Sequence, residues 1–140
     1  ISSEETTKEL AKDLTHYLKG GEIVYLYGEM GVGKTTFVRY LINQFQKNKK
    51  LHITEVTSPT FNLLNEYDIN DLVIKHYDLF RLKDESEIKN LDLFENNQST
   101  ITLIEWPQLI SKNKSIKTID LIFSYENELN NRSVKISGLN

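Results

Sequence analysis

The stretch of sequence that decides the fold is Gly28-Glu29-Met30-Gly31-Val32-Gly33-Lys34-Thr35. It matches the pattern G-x-x-x-x-G-K-[ST], in which a glycine-rich turn joins a strand to a helix. The glycines let the backbone adopt positive φ angles and approach a ligand closely. The backbone amides of the loop and the N-terminus of the next helix then face an anion. The pattern therefore predicts a phosphate-binding loop.

The side chains of this loop have separate expected roles. The Lys34 ammonium would reach the β- and γ-phosphates of a nucleotide, and the Thr35 hydroxyl would supply a hard oxygen ligand for Mg²⁺. Lys34 is therefore a candidate catalytic residue, and Thr35 is a candidate metal ligand. The candidate nucleotide contacts along the loop are Glu29, Met30, Gly31, Val32, Gly33, Lys34, Thr35 and Thr36.

The sequence on both sides of the loop favours this interpretation over a purely structural glycine turn. Residues 22–27 form a β-branched and aromatic run that is typical of a buried strand. After the loop, apolar residues recur at helical spacing, at Phe37, Val38, Leu41, Ile42 and Phe45. Strand, glycine loop and helix are the context that the motif requires.

Composition limits the class of protein. The chain has 140 residues and no cysteine, and its formal net charge is −3. Its length predicts a single domain over residues 1–140. The acidic balance argues against binding DNA or capturing RNA independently, and no apolar run is long enough to span a membrane. The lack of cysteine fits a reducing compartment, so we expect a cytoplasmic protein.

The rest of the chain alternates between helical and strand-like patterns. A helix is expected to begin near Ser2 and to end at Gly20-Gly21. Strands at 61–67 and 72–77, around a turn at 68–71, predict an antiparallel hairpin inserted after the first α/β unit. The other expected elements are a helix at 83–93 and strands at 101–104, 117–125 and 132–136. Together they predict an α/β fold of three layers, α/β/α, around a mixed sheet.

Two acidic residues at strand ends could complete a nucleotide site. Enzymes with this loop need a carboxylate for Mg²⁺ and often a group that positions the attacking water. Glu105 follows the strand 101–104, and Asp78 follows the strand 72–77. Both are candidate catalytic residues and candidate metal ligands, and the alternative for each is a helix cap or a surface acid. The sequence leaves open which of the two positions the water.

Three other features carry a weaker signal. Ser58-Pro59-Thr60 is a short polar loop that could contact the γ-phosphate. His76 lies within a strand, and we interpret it as a packed residue rather than a catalyst. We interpret Trp106 as a core or interface residue rather than a surface on which a base stacks.

Features of two related protein classes are absent. Guanine-specific proteins carry Asn-Lys-x-Asp, whereas Asn48-Lys49-Lys50-Leu51 and Asn113-Lys114-Ser115-Ile116 both lack the aspartate. ATP is therefore expected in preference to GTP. Small-molecule kinases close an arginine-bearing lid over the phosphates, but the arginines here are only Arg39, Arg81 and Arg132, and no lid segment is evident.

With these residues in place, the chain resembles the TsaE (YjeE) family, bacterial ATPases that are required for threonylcarbamoyladenosine modification of tRNA. The resemblance covers nearly the whole chain and rests on four blocks. They are the phosphate loop through Phe37, then Thr57 to Phe61, then His76 to Leu82, then Ile104 to Pro107. The phosphate loop alone is shared by a very large superfamily, whereas the other three blocks in this order are specific.

The resemblance implies ligands and site residues. ATP and Mg²⁺ are the expected cofactors, and segment 57–61, which includes Thr60, would be a switch-like loop. Asp78 and Glu105 would be two essential acids, with Glu105 a Mg²⁺ ligand beside Thr35. The residues implied at the adenine end of ATP are Ser3, Glu4 and Arg132.

The resemblance also implies partners. In this family, ATP turnover supports TsaD and TsaB, which transfer the threonylcarbamoyl group to adenosine 37 of tRNA, so contact with tRNA would be indirect. We expect slow hydrolysis by the isolated chain, because it is small and has no arginine in an obvious finger position. The alternatives are a small-molecule kinase with the same loop and a nucleotide-binding interaction module with negligible turnover.

Overall fold

The computed structural model describes residues 4–28, 33–59, 63–80, 82, 98–107, 117–125 and 132–138. These residues form two helices and six strands: α1 (Glu4–Leu14), β1 (Ile23–Tyr27), α2 (Lys34–Asn48), β2 (Leu64–Ile69), β3 (Leu72–Asp78), β4 (Thr100–Glu105), β5 (Thr118–Tyr125) and β6 (Arg132–Ser137). The strands make one sheet in the order β2-β3-β4-β1-β5-β6. The expected α/β class and mixed sheet are confirmed.

The centre of the sheet is parallel and its two edges are antiparallel. β1 runs parallel to β4 and β5, and β3 runs parallel to β4. The edge strands β2 and β6 are antiparallel to β3 and β5. The carboxyl ends of β1, β3 and β4 therefore meet at one edge of the sheet, the usual place for a ligand in an open α/β sheet.

The larger hydrophobic core lies between one face of the sheet and the two helices. Alternate residues of β1, Val24 and Leu26, contribute to it together with the apolar face of α2 and residues of α1. Ile23 and Tyr25 point to the opposite face and belong to a smaller cluster. Both described helices thus cover the same face. The helix expected at 83–93, which would complete the third layer, lies outside the described residues.

The inserted hairpin is confirmed, although its turn is shorter than expected. β2 continues through Ile69, which pairs with Leu72, and leaves a two-residue turn at Asn70-Asp71. Ile69 is fully buried, so pairing it in the sheet is favoured over leaving it in a polar turn. Asn70 has a φ of 60°, a conformation that asparagine tolerates better than most residues.

The first helix ends earlier than its apolar spacing predicts. α1 stops at Leu14, and the Thr15 hydroxyl donates a 2.6 Å hydrogen bond to the Lys12 carbonyl. This side-chain bond competes with the helical backbone pattern. Leu18 still packs in the core, but from the connection that follows the helix rather than from the helix itself. Neither described helix is long and apolar enough to cross a membrane.

Candidate functional site

The candidate site lies where the parallel strands end and α2 begins. Lys34 opens α2, with Gly33 at its N-cap, directly after the loop that follows β1. In the sheet register, Glu105 at the end of β4 pairs with Leu26 of β1 on one side and Asp78 of β3 on the other. The topology therefore brings both acidic residues to the phosphate loop, because three neighbouring parallel strands end at the same level.

The Thr35 hydroxyl contacts the Glu105 carboxylate. Thr35 Oγ1 lies 3.1 Å from Oε1 and 3.2 Å from Oε2, so its single proton is shared between the two oxygens. Ser58 Oγ lies 3.3 Å from Thr35 Oγ1 on the other side. A helix N-terminus, a strand end and the loop at 57–59 thus present hydroxyl and carboxylate oxygens at one point.

The Glu105 carboxylate also forms a hydrogen bond with a buried histidine, His76. His76 Nε2 lies 2.6 Å from Glu105 Oε2, and the two residues are 0% and 2% exposed. An ionised carboxylate can only accept hydrogen bonds, so Nε2 is the donor. His76 Nδ1 has no hydrogen-bond partner among the described residues.

Asp78 lies beside this group in a half-buried position. Its carboxylate accepts a 3.0 Å hydrogen bond from the backbone N–H of Phe80. Burial raises the pKa of Asp78 and the negative charge of Glu105 adds to the rise, whereas the Phe80 N–H, His76 and Lys34 act in the opposite direction. Asp78 is therefore a carboxylate whose charged form is costly in this structure and would be relieved by a nearby cation.

Lys34 is buried at the mouth of the site, with 4% of its surface exposed. Its ammonium donates a 2.6 Å hydrogen bond to the Gly28 carbonyl and lies 3.4 Å from the centroid of the Trp106 ring. Burial lowers the pKa of Lys34, and the charges of Glu105 and Asp78 oppose that effect. The charge is thus held between the first glycine of the loop and an aromatic face, an attractive cation–π geometry.

The backbone at Trp106 is unusual. Its φ is 58°, in the left-handed region that bulky residues rarely adopt. The ring packs 4.8 Å, centroid to centroid, from Phe80, which is 51% exposed. Such backbone conformations cost energy and often occur at functional sites. Here the conformation accompanies the placement of the indole over the loop lysine.

The donor set fits Mg²⁺. Hydroxyl and carboxylate oxygens are the ligands that this ion prefers, and it usually takes one or two carboxylates together with phosphates and water. Over the described part of the chain, no group of three His, Cys, Asp or Glu side chains could hold a metal alone. A cation between Thr35 and Glu105 would therefore depend on a phosphate ligand to complete its coordination.

The structure brings together some of the expected site residues and leaves others undescribed. Lys34, Thr35, Asp78 and Glu105 converge as expected, and Thr36 lies in the first turn of α2. Only the backbone is described for Glu4, which begins α1, and for Arg132, which begins β6. The expected contacts that lie outside the described residues are Ser3, Glu29, Met30, Gly31, Val32 and Thr60.

The sequence interpretation missed the contact of His76 with Glu105. His76 is buried, as expected of a packed residue, but it also bonds to a candidate site acid. Alternation along β3 could have placed His76 on the face of the site, because residues two apart in a strand share a face. Choosing Asp78 as a site residue therefore places His76 on the same face.

Comparison with known protein families and sequences gives three findings. A family model described as threonylcarbamoyl adenosine biosynthesis protein TsaE matches residues 1–134. The tRNA threonylcarbamoyladenosine biosynthesis protein TsaE of Rickettsia conorii is 44% identical over 110 residues, which cover 79% of this chain and 61% of that protein. The Bacillus subtilis protein of the same name is 38% identical over 109 residues, covering 77% and 65%.

A solved structure has the same fold. The crystal structure of Bacillus subtilis YdiB superimposes with a TM-score of 0.72 and 22% identity, covering 100% of this chain and 83% of that one. The matches to the Rickettsia conorii and Rickettsia felis proteins span 61% and 62% of those proteins' length, so both proteins are longer than the part that this chain covers. The structural similarity supports the fold, and the sequence similarities support the family.

Proposed function

This chain belongs to the TsaE family of threonylcarbamoyl adenosine biosynthesis proteins, and from that premise we propose that it binds and hydrolyses ATP with Mg²⁺ in support of tRNA modification. The observation that carries the proposal is the contact between Thr35, in the first turn after the phosphate loop, and Glu105, at the end of the neighbouring strand. A hydroxyl and a carboxylate in this arrangement form a site for the metal of a metal–nucleotide complex.

Lys34 supplies the positive charge for the phosphates. In the structure, its ammonium donates a hydrogen bond to the carbonyl of Gly28, the first residue of the phosphate loop, and faces the ring of Trp106. A phosphate would replace the carbonyl as its partner in a stronger, charge-assisted hydrogen bond. We assign Lys34 to the β- and γ-phosphates, where it stabilises the negative charge of the transition state.

Thr35 and Glu105 would hold Mg²⁺, directly or through a water molecule. When bound, Mg²⁺ neutralises phosphate charge and fixes the orientation of the γ-phosphate. The Thr35 oxygen has lone pairs available for the ion while its proton remains donated to Glu105. Both side chains can therefore serve the ion without breaking their mutual hydrogen bond.

We assign the attacking water to Asp78 rather than to Glu105. Glu105 is already bonded to Thr35 and His76, whereas Asp78 accepts a backbone N–H at the more open strand end. A carboxylate with a raised pKa is suited to orienting a water and accepting its proton. The water oxygen attacks the γ-phosphorus, the bond to the bridging oxygen breaks, and ADP leaves with the bond's electron pair.

The proposal includes partners. We propose that ATP-loaded protein acts with TsaD and TsaB, and that tRNA is contacted through them, because the chain carries a net charge of −3. Ser58 lies against Thr35, so the loop at 57–59 is placed to respond when a nucleotide rearranges that hydroxyl. Loops that respond to a γ-phosphate are a common means of coupling nucleotide state to partner binding.

Glu105→Gln tests this proposal. The change keeps the shape of the side chain and removes the charge, so hydrolysis should fall by a factor of about 100 or more, while nucleotide affinity measured in EDTA changes by less than about tenfold. Glu66→Gln is the matched control, because Glu66 is an exposed acid on β2. Phosphate release and nucleotide affinity are measured for both variants in the presence of TsaD and TsaB.

Three outcomes would contradict the proposal. Wild-type turnover in Glu105→Gln would remove the carboxylate from the mechanism. Transfer of labelled γ-phosphate to a small acceptor would indicate a kinase instead. Nucleotide binding without any turnover, even with TsaD and TsaB present, would indicate a binding module.

A further inference from the structure

We propose that His76 is a positioning residue, which fixes the Glu105 carboxylate in the orientation that the metal–nucleotide complex requires. This inference rests on the proposed function, because it concerns the same metal site. Among the described residues, the side-chain hydrogen bond that links His76 to the site goes to Glu105: its imidazole contacts the carboxylate, and the carboxylate contacts Thr35.

His76 contacts the carboxylate of Glu105, the candidate metal ligand, from the neighbouring strand. His76 on β3 pairs with Leu103 of β4, two residues before Glu105, and its ring reaches diagonally across to the carboxylate. Its Nε2 bonds to Oε2, while Thr35 approaches both carboxylate oxygens from α2. The carboxylate is thus held between two donors on different elements, and rotation about its last bonds would break at least one of these contacts.

Burial makes this support necessary. Glu105 is 2% exposed, so water cannot replace a missing donor, and an unpaired buried charge is very costly. Thr35 has one proton for two oxygens, which leaves His76 as the donor that is specific for Oε2. Hydrogen-bond partners of metal ligands orient those ligands, and their loss commonly reduces metal affinity 10- to 100-fold.

The hydrogen bonding of His76 argues against a purely structural role. The ring is fully buried, yet Nδ1 has no partner among the described residues, so its single described hydrogen bond goes to Glu105. A residue that only filled space here would be better replaced by an apolar side chain. Burying the imidazole costs free energy, and what it provides is one donor aimed at one carboxylate oxygen.

The experiment measures how strongly Mg²⁺ tightens nucleotide binding, with no turnover involved. The affinity for a non-hydrolysable ATP analogue is determined by calorimetry with Mg²⁺ and with EDTA, and the ratio of the two dissociation constants is compared between variants. His76→Leu removes the donor, and His76→Gln retains an N–H donor of similar reach. Ile74→Val is the matched control, because Ile74 lies two residues earlier on β3, is equally buried, and pairs with Ile101, four residues before Glu105.

We expect His76→Leu to lose about 10- to 100-fold of the Mg²⁺ effect, with affinity in EDTA unchanged. His76→Gln should recover most of the loss, and Ile74→Val should match the wild type. An unchanged Mg²⁺ effect in folded His76→Leu would overturn the proposal. So would a loss of the Mg²⁺ effect in Ile74→Val equal to that in His76→Leu. Nucleotide binding by the wild type that does not depend on Mg²⁺ would overturn it as well. Should His76→Leu fail to fold, a Mg²⁺ effect in His76→Gln no larger than a tenth of that of the wild type would also overturn it.

Hydrolysis by the wild type is measured in parallel and tests the proposed function separately. A protein whose analogue binding shows the expected Mg²⁺ ratios but which does not hydrolyse ATP with TsaD and TsaB would retain the positioning role and lose the proposed activity. If the wild type hydrolyses ATP normally but His76→Leu shows an unchanged Mg²⁺ effect on analogue binding, the proposed activity would be retained and the positioning role lost.

Discussion

At the scale of single residues, the site combines groups that are individually unfavourable. A lysine is buried beneath a tryptophan ring, a buried glutamate relies on a hydroxyl and an imidazole as its donors, and Asp78 has a raised pKa. Each would be more stable in water or with a partner of opposite charge. A polyphosphate with its cation would supply those partners, so the residues that are costly to bury in the folded chain are the ones expected to bind that ligand.

Asp78→Asn should increase stability at neutral pH. Burial raises the pKa of Asp78 in the folded state above its unfolded value. The stabilising contribution of its protonated form is therefore complete below the unfolded pKa and is lost as pH rises through the folded pKa. Asparagine has no charge to bury and can still accept the Phe80 N–H, so its melting temperature should exceed that of the wild type at pH 7.

The difference between the two proteins should shrink as pH falls and Asp78 becomes protonated, which thermal melts across a pH series would follow. Hydrolysis by the variant should fall at least tenfold, because the assigned water-orienting charge is gone. A variant that is less stable than the wild type at pH 7 and converges with it only at high pH would show that the sign is wrong.

The residues of the site were predictable to different degrees. Lys34 and Thr35 belong to a local motif, and Glu105 ends an apolar strand, so their convergence follows from sequence and parallel topology alone. The bond from His76 to Glu105 and the position of Trp106 over Lys34 depend on strand register and on one unusual φ angle. Neither the register nor that angle is encoded in a short pattern, because both are set by packing between distant segments.

At the scale of elements, alternation predicted the strands well. The boundaries of β3, β4, β5 and β6 differ from expectation by no more than one residue. The larger errors were in β2, which ends two residues later than expected, and at the end of α1, where apolar residues continue at helical spacing through Leu18 after the helix has stopped. Spacing reports which residues are buried, whereas the end of the helix is set by local hydrogen bonds such as that of Thr15.

The connection between α1 and β1 should depend on Gly20. Its φ is +128°, and a Cβ there would lie 1.8 Å from the Gln98 carbonyl oxygen. Gly20→Ala combines backbone strain with a clash against another backbone, so we expect a loss of about 2–4 kcal/mol in the free energy of unfolding. Urea denaturation monitored by circular dichroism measures the free energy of unfolding of the variant and of the wild type.

Gly33→Ala separates the two causes. Gly33 also has a positive φ, +109°, but a Cβ there meets no atom of the described residues within 4 Å. Strain without a clash should cost about 1–2 kcal/mol. Equal losses in the two variants would show that the close approach to Gln98 has no effect on stability.

At the scale of the whole molecule, the described residues that border the site include exposed groups. The site lies at the edge of the sheet, and a polar loop borders it at 57–59. The exposed ring of Phe80 stacks on Trp106, which in turn contacts the loop lysine. A partner that binds over Phe80 would therefore act on Lys34 through two ring contacts.

The last prediction concerns partner proteins that would act on the site. We expect slow ATP hydrolysis by the isolated protein, because a transition-state arginine supplied by a partner can contribute 10³–10⁵ in rate. We also expect association with TsaD and TsaB that is at least tenfold tighter with an ATP analogue than with ADP or without nucleotide. Single-turnover assays with and without purified TsaD and TsaB measure the hydrolysis rate, the first half of the prediction. Sedimentation with the same proteins measures the association, the second half.

Lys34→Ala is the matched control for the second half. It removes one charge-assisted phosphate contact, typically worth about 1.5–3 kcal/mol, and should abolish the nucleotide dependence of association while leaving the weak nucleotide-free binding in place. Fast turnover of the pure protein, unchanged by TsaD and TsaB, would contradict the first half. Equal association in all nucleotide states would contradict the second, because the loop at Ser58 would then not transmit the state of the site to the surface that the partners bind.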